Sequence, residues 1–237
     1  MKPNTNSLIL WSNARIQLIV TGLTERSKNK KTGGMIQTYI IRKDMAPLDA
    51  MRQDKDKAIC GNCPLRGATK KQGKRKNRPC YVNVGQAPQA LYKAVKNFGG
   101  SITKAQGKPG RLGSYGDPSF VPVPVWKRIL NLLSGHTGYT HQWARPTTQA
   151  YSAFLMASVE SVDAKKQANA LGWRTFRVMR QDQWAKESLQ PDEVLCPASE
   201  EAGKRTTCEN CQLCSGNDIK DKNVAIYAHS ANKVNLK

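Results

Sequence analysis

From Arg111 onward the chain alternates short apolar runs with stretches of helical spacing, and this rhythm limits its fold more than any other feature. The pattern predicts strands over 111–115, 138–142, 153–159, 174–179, 194–196 and 224–229. Helices are predicted between them over 124–133, 162–171 and 181–188, with a weaker helical stretch at 147–151. In the first of these, Val125, Ile129, Leu132 and Leu133 share one face, and Gly172 ends the second. Residues 153–159 (Ala-Phe-Leu-Met-Ala-Ser-Val) are almost wholly apolar, as suits a strand buried on both faces of a parallel sheet. A further strand is predicted over 35–42. A helix over 88–98 follows it, with Leu91, Ala94, Val95 and Phe98 on one side and Gly99-Gly100 as its stop.

Strands separated by helices indicate βα units, hence an α/β fold with parallel strands. No glycine-rich dinucleotide fingerprint follows a strand, which favours a (βα) barrel or partial barrel over an open doubly wound sheet. The expected organisation is a basic, metal-stapled region over 1–110 with the first barrel elements, then a βα repeat region over 111–237, in one continuous domain.

Charge is distributed unevenly. The formal net charge is +21. Residues 1–111 hold 23 Lys and Arg against 5 Asp and Glu, whereas 112–237 hold 15 against 12. A basic excess so concentrated points to a polyanionic partner, and nucleic acid is the expected one. The basic residues gather in two places. One is the glycine-ended loop over 26–34, with Lys28, Lys30 and Lys31; the other lies between Cys63 and Cys80. That second segment carries Arg66, Lys70, Lys71, Lys74, Arg75, Lys76 and Arg78 with no acid among them. Its functional reading is phosphate contact, and its plain reading is a solvated loop. Tyr81, Tyr92, Trp126, Trp143 and Trp173 are aromatic candidates for base stacking.

No run of about 18 apolar residues occurs, so no membrane span is expected. The early runs Leu8-Ile9-Leu10-Trp11 and Leu18-Ile19-Val20 are broken by Asn13 and Arg15 and lack a small-residue cleavage site. An intracellular protein is therefore expected, and its seven cysteines read as metal ligands or catalytic groups rather than a disulfide framework.

The cysteines form two groups. Cys60-x2-Cys63 is followed by Cys80; Cys196 is followed by Cys208-x2-Cys211-x2-Cys214 and then His229. Cys-x2-Cys places two thiolates on one tight turn, which suits a tetrahedral ion. Cys208, Cys211 and Cys214 with either Cys196 or His229 would complete a structural zinc site. The same run with a distant Cys-Pro also fits iron–sulfur ligation. The first group has three local thiols and needs a fourth ligand or leaves a position open.

Barrels carry their chemistry at the carboxyl ends of the strands. Here those ends are polar: Asp117 follows the first, His141 closes the second, Glu160 the third, Cys196 the fifth and His229 the last. Each has a plain alternative. Asp117 suits a turn before proline, Glu160 the start of a helix capped by Ser161 or Asp163, and His141 a satisfied core position. Recurrence at one end of successive strands favours Asp117, His141 and Glu160 as candidate catalytic residues.

Lys31-Thr32-Gly33, the Cys60/Cys63 pair, Cys80-Tyr81-Val82, Gly116-Asp117-Pro118, Tyr139-Thr140-His141, Cys196-Pro197, the triple-cysteine run and His229 together resemble a family of small phage-encoded proteins of gene-product-88 type, over about residues 28–230. The resemblance implies a phage or mobile-element origin and a bacterial host cytoplasm, and carries no chemistry. More distantly the chain is similar to the tRNA-guanine transglycosylase superfamily, which includes phage enzymes that insert 7-deazaguanines into DNA. That resemblance implies a (βα) barrel, zinc on Cys208, Cys211, Cys214 and His229, and Asp117 as the carboxylate that grips or deprotonates the base. The chain departs from the superfamily in its cysteine spacing (the family run is Cys-x-Cys-x2-Cys). It has Cys196-Pro197 where the family's aspartate nucleophile stands, and Asp192 precedes that strand. Glu160 is then the stand-in nucleophile. A second distant likeness is to phage radical-SAM proteins, with Cys60, Cys63 and Cys80 in place of their Cys-x3-Cys-x2-Cys signature.

The function expected from these readings is a base-exchanging transglycosylase acting on DNA or RNA, with a structural zinc and a modified-base small molecule as second substrate. The alternatives are a non-enzymatic zinc-containing nucleic-acid-binding protein and an iron–sulfur, radical-SAM-like enzyme.

Overall fold

The structure, a computed structural model, describes residues 2–27, 32–69, 75–76, 78–180, 189–217 and 222–228, with 68–69 and 75–76 described by backbone alone. The chain forms two compact units, Met1–Gly61 with Val82–His136, and Asn62–Tyr81 with Thr137–Lys237.

The first unit is built on β1 (Ser7–Ser12), β2 (Ile16–Thr21), β3 (Ile36–Arg42) and β4 (Pro109–Tyr115). β1, β2 and β3 pair antiparallel, and β4 lies parallel to β3. The β1–β2 hairpin is absent from the strands expected on periodicity. Its turn is organised by Asn13, whose Oδ1 accepts the backbone N–H groups of Arg15 and Ile16 at 2.8 and 2.9 Å, the local competition with regular structure that favours Asn in turns. Strands β2 and β3 are buried on both faces and form the core of this unit.

Four helices belong to this unit: α1 (Pro47–Arg52), α2 (Lys57–Cys60), α3 (Ala87–Ala94) and α4 (Val123–Leu130). The helix predicted over 88–98 is present, but it tightens into a 3-10 turn at Val95–Asn97. In α4 the buried face is Val125, Trp126 and Ile129. Trp126 is fully buried and its indole N–H donates to the Pro118 carbonyl at 2.9 Å, so it is a core residue and not a stacking platform.

The second unit holds β5 (Gly135–Thr140), β6 (Met156–Val159), β7 (Thr175–Met179), β8 (Glu193–Leu195) and β9 (Asn223–Tyr227). Every pairing is parallel, in the order β5-β6-β7-β9-β8. The parallel α/β expectation is met. The strands form a row, and no pairing among the described residues joins β8 back to β5. Helix α5 (Val162–Ala170) makes the crossover from β6 to β7, and its first turn is capped by Ser161 Oγ, which accepts the Ala164 N–H at 3.1 Å. A 3-10 stretch at Pro146–Ala153 occupies the weak helical region, while the helix expected over 181–188 lies outside the described residues. α6 (Cys208–Cys211) is a single turn.

Strand periodicity sorts the core of this unit into two faces. Val224 and Ile226 of β9 pack with Met156, Cys196 and Cys214, and Ala225 and Tyr227 pack with Met179 on the other side. The side chains of Arg177 and Glu193 are fully buried against each other. Nε donates to Oε1 at 2.8 Å and Nη2 to Oε2 at 2.6 Å. Burying both charges is tolerable only while each has its partner. Glu193→Ala is therefore expected to destabilise this unit by about 3–5 kcal/mol, whereas the apolar pair Arg177→Met with Glu193→Leu recovers most of that loss. Urea unfolding followed by tryptophan fluorescence reads the difference. A single-variant loss below about 1 kcal/mol would show that water reaches the guanidinium.

Asp192 stands at the amino end of β8. It accepts hydrogen bonds from Lys165 Nζ at 2.7 Å and Asn223 Nδ2 at 2.6 Å. Burial raises its pKa and these donors more than reverse that, leaving the carboxyl below its ordinary value. Its position is structural, fastening α5 to the start of the sheet. Among the described residues no helix is long and apolar enough to cross a membrane.

Candidate active site

Strands β5 and β6 are hydrogen-bonded neighbours running in the same direction, so the residues that follow them emerge side by side. His141 comes directly after β5 and Glu160 directly after β6. Their side chains meet there. His141 Nε2 is 2.7 Å from Glu160 Oε1, and the two side chains keep 14% and 19% of their exposure. The carboxyl edge of the parallel row is where α/β proteins place their chemistry, because the loops there diverge and leave backbone and side chains facing one opening.

Glu160 immediately precedes the Ser161 cap and so sits outside α5, with its direction set by that cap. The backbone just after His141 is held by two threonines. Thr140 Oγ1 accepts the Gln142 N–H at 2.9 Å, and Thr148 Oγ1 donates to the Gln142 carbonyl at 2.8 Å. Trp143 donates its indole N–H to the Ser158 carbonyl at 3.1 Å and so ties the loop after β5 to β6. This accounts for Trp143 by structure alone.

A third group joins the pair from far away in sequence. Cys63 Sγ is 3.9 Å from His141 Nε2. The approach is set by Gln142, a buried side chain whose Oε1 accepts the backbone N–H of Asn62 at 3.4 Å. Burial opposes a charged imidazole here, but the neighbouring Cys63 and the Glu160 carboxylate outweigh it, and the pKa of His141 lies well above the ordinary histidine value. The arrangement is a carboxylate and a thiol converging on one imidazole nitrogen. It can hold a proton at Nε2 and present a carboxylate beside it. It is not a relay through both ring nitrogens, since Cys63 and Glu160 face the same one. The sequence offered Cys63 only as a metal ligand, and nothing in it signalled the approach to His141 or the positioning role of Gln142.

Asp117 belongs to the first unit, and there it serves as a turn residue. Its Oδ1 accepts both the backbone N–H of Ser119 at 3.0 Å and the Ser119 hydroxyl at 2.8 Å, while its own N–H donates to the Ile59 carbonyl at 2.7 Å. The preceding Gly116 has φ of +80° and a Cβ there would stand 2.7 Å from Ile40 Cβ, so the Gly-Asp-Pro turn is needed to bring the chain past β3. The residue is 6% exposed.

None of the seven cysteines is joined in a disulfide. Cys63 and Cys80 pack around Leu65 and Ala228, and the Cys80 N–H donates to the Leu65 carbonyl at 3.0 Å. The two ends of the basic insert are therefore brought together at the end of β9, on the same edge as His141 and Glu160. Within the insert, Ala68–Thr69 and Arg75–Lys76 form a short antiparallel ladder. Arg66 and Arg78 are half-buried at its base. Lys70, Lys71 and Lys74, and likewise Lys28, Lys30 and Lys31 of the N-terminal loop, lie outside the described residues, as does His229. Tyr81, next to Cys80, is 56% exposed. Trp173 is 2% exposed, with its indole N–H on Gln149, and serves the core.

Three of the second cysteine group, Cys196, Cys208 and Cys214, pack on one face of the parallel row. Cys196 follows β8, and its N–H donates to the Ala225 carbonyl at 2.8 Å. Cys208 and Cys211 are the first and last residues of α6, one turn apart and so on one side of it. Gln212 then takes a left-handed conformation with φ of +49°, returning the chain so that the Cys214 carbonyl accepts the Gly138 N–H at 3.0 Å. Burial, aided by Cys196, Cys208 and Cys211 and opposed by a hydrogen bond from Tyr139, pushes the Cys214 thiol up to about 12. Cys60 ends α2 in the first unit. Among the described residues, no three Cys, His, Asp or Glu side chains are closed into a metal-binding group. The donor chemistry fits a soft divalent ion at the second group, with Cys196, Cys208 and Cys211 each in electrostatic reach of Cys214; among the described residues the closed ligand geometry is not formed.

Comparison with known proteins finds no matching family model, no similar curated protein and no similar solved structure.

Proposed function

We propose that this chain is a nucleic-acid-modifying enzyme that exchanges a base by double displacement. Its chemistry sits at the carboxyl edge of the second unit's sheet, used as in a partial (βα) barrel. The observation that carries the reading is the contact between Glu160 and His141, 2.7 Å apart on the ends of two adjacent parallel strands. Two further features support it. The basic insert is rooted on that same edge through Cys63 and Cys80. The exposed ring of Tyr81 stands at the insert's foot.

A base has to leave its stack to meet groups set in such an edge. The insert's cations hold the phosphates and supply affinity without sequence information. Glu160 Oε2, the oxygen not shared with His141, attacks C1′ of the sugar from the face opposite the base. The new C1′–O bond forms as the C1′–N bond breaks. The electron pair of the broken bond goes to the departing base, which takes the proton from His141 Nε2. An incoming free base then returns its ring N–H proton to His141, and its nitrogen displaces the carboxylate at C1′. Double displacement requires a nucleophile and a proton donor, and Glu160 and His141 supply one each. Asp117 has no step in this scheme, and a zinc held by the C-terminal cysteines would supply structure and no step of the exchange.

The test is incubation of the full chain with DNA, and separately RNA, together with isotope-labelled guanine or 7-deazaguanine, followed by mass measurement of the digested nucleosides. Label in a nucleoside of one polymer is the expected result. Salt-sensitive binding with label in neither polymer would leave the non-enzymatic binding protein as the better account. Oxygen-sensitive activity with iron and sulfide in the protein would favour the radical enzyme.

A further inference from the structure

We infer that Cys196, Cys208, Cys211 and Cys214 together hold one zinc ion, with Cys196 and not His229 as the fourth ligand. This deepens the metal part of the reading above, and its test does not depend on base exchange.

The argument begins with packing. Cys196 and Cys214 are each 7% exposed and lie in one cluster with Met156, Val224 and Ile226, against which Cys208 also packs. Cys211 follows Cys208 by one helical turn. Cys196, Cys208 and Cys214 thus gather on one face of a parallel sheet, with Cys211 one turn from Cys208, although they come from a strand end, a one-turn helix and the segment after it. Burying one cysteine is ordinary; collecting four on a short segment poor in regular structure is not, because such a segment has little else to hold it.

The backbone around them is shaped to the same end. Gly216 has φ of +84°, and a Cβ there would come within 2.6 Å of the Phe154 backbone, so the chain after Cys214 lies directly on the preceding loop. Arg174 holds that segment from below by donating to the carbonyls of Leu213, Gly216 and Lys222. The Cys214 and Cys196 backbones are in this way fixed to the sheet, while α6 carries the other two thiols on a short turn. Tetrahedral zinc would draw the four sulfurs to ~2.3 Å from the ion. A multi-iron cluster needs more room than a single ion, and the thiols already lie against packed Met156 and Ile226. Ala228, the residue before His229, packs with Cys63 and Cys80 in a different cluster from the four thiols.

The experiment is cobalt(II) titration of the apo full chain, read by its visible and thiolate charge-transfer absorption, with zinc content of the as-purified protein alongside. Cys196→Ser is expected to lose one equivalent of tightly held ion, and His229→Ala to keep it, with the intensity of a four-thiolate cobalt centre. Loss on His229→Ala with retention on Cys196→Ser overturns the ligand set, and so does a cobalt spectrum of three thiolates and a nitrogen in the parent. Iron with acid-labile sulfide overturns the metal. Because a serine variant can fail to fold, alkylation of the native zinc-loaded parent gives a second reading. Cys196, Cys208, Cys211 and Cys214 are expected to be protected as a set and released together by a chelator. Independent labelling of Cys196 while the other three stay protected sinks the proposal.

Discussion

Glu160→Gln is expected to lower base exchange by at least about 10²–10⁴-fold while leaving nucleic-acid affinity within a few-fold of the parent. The substitution keeps the size of the side chain and its contact with His141, 2.7 Å away, but removes the negative oxygen that forms the bond to C1′. His141→Asn removes the proton donor to the departing base and should cost about 10²–10⁴-fold on its own. The two losses are expected to fall well short of additive, because nucleophile and acid act on one bond in one step. Gln142→Ala provides a graded control. Its amide oxygen holds Asn62 and so sets Cys63 beside His141, and its loss is expected to reduce exchange by a smaller factor without abolishing it. Single-turnover label incorporation, with binding measured separately by fluorescence anisotropy, distinguishes these outcomes. If Glu160→Gln and His141→Asn modify nucleic acid as well as the parent, the proposed site is not where the chemistry occurs.

Neutralising the basic insert should do the reverse, abolishing affinity and sparing chemistry at saturating substrate. Changing Lys70, Lys71, Lys74 and Lys76 to Gln removes four of the seven positive charges between Cys63 and Cys80. Each phosphate contact contributes about 0.9 to the slope of log affinity against log salt on duplex DNA. The variant is therefore expected to bind on the order of 10³-fold more weakly near physiological salt, with a slope smaller by about 3–4. Titrations at several salt concentrations read both numbers. An unchanged slope would mean that the phosphates are held elsewhere, with the N-terminal lysines the next place to test.

Much of the second unit is legible in residue order alone. The run at 153–159 reads as a buried parallel strand because apolar residues without alternation have few other uses at that length, and β6 is found within it. The strands predicted over 138–142, 174–179, 194–196 and 224–229 appear within a few residues of those limits. The β1–β2 hairpin is not legible in this way. Strand β1 is only partly buried, its alternation is faint, and its identity depends on β3 supplying a partner for β2. Trp126 and Trp173 could be read either way, since an indole serves a core and a base equally well, and burial decides them.

The concentration of charge, the grouping of thiols and the polar residues at the strand ends follow from residue type and local periodicity. Which of those residues meet is a matter of tertiary structure. His141 and Glu160 meet because β5 and β6 are neighbours in register. Cys63 joins them across 78 residues because Gln142 holds its neighbour. Asp117, as plausible as either from its place after a strand, commits its carboxylate to Ser119 two residues away. Likewise Cys196 and His229 are equal candidates for the fourth ligand on spacing, and packing sets Cys196 against Cys214. Local sequence specifies what a strand end carries. Only the order of strands in the sheet, fixed by long-range packing and hydrogen bonding, specifies what stands beside it.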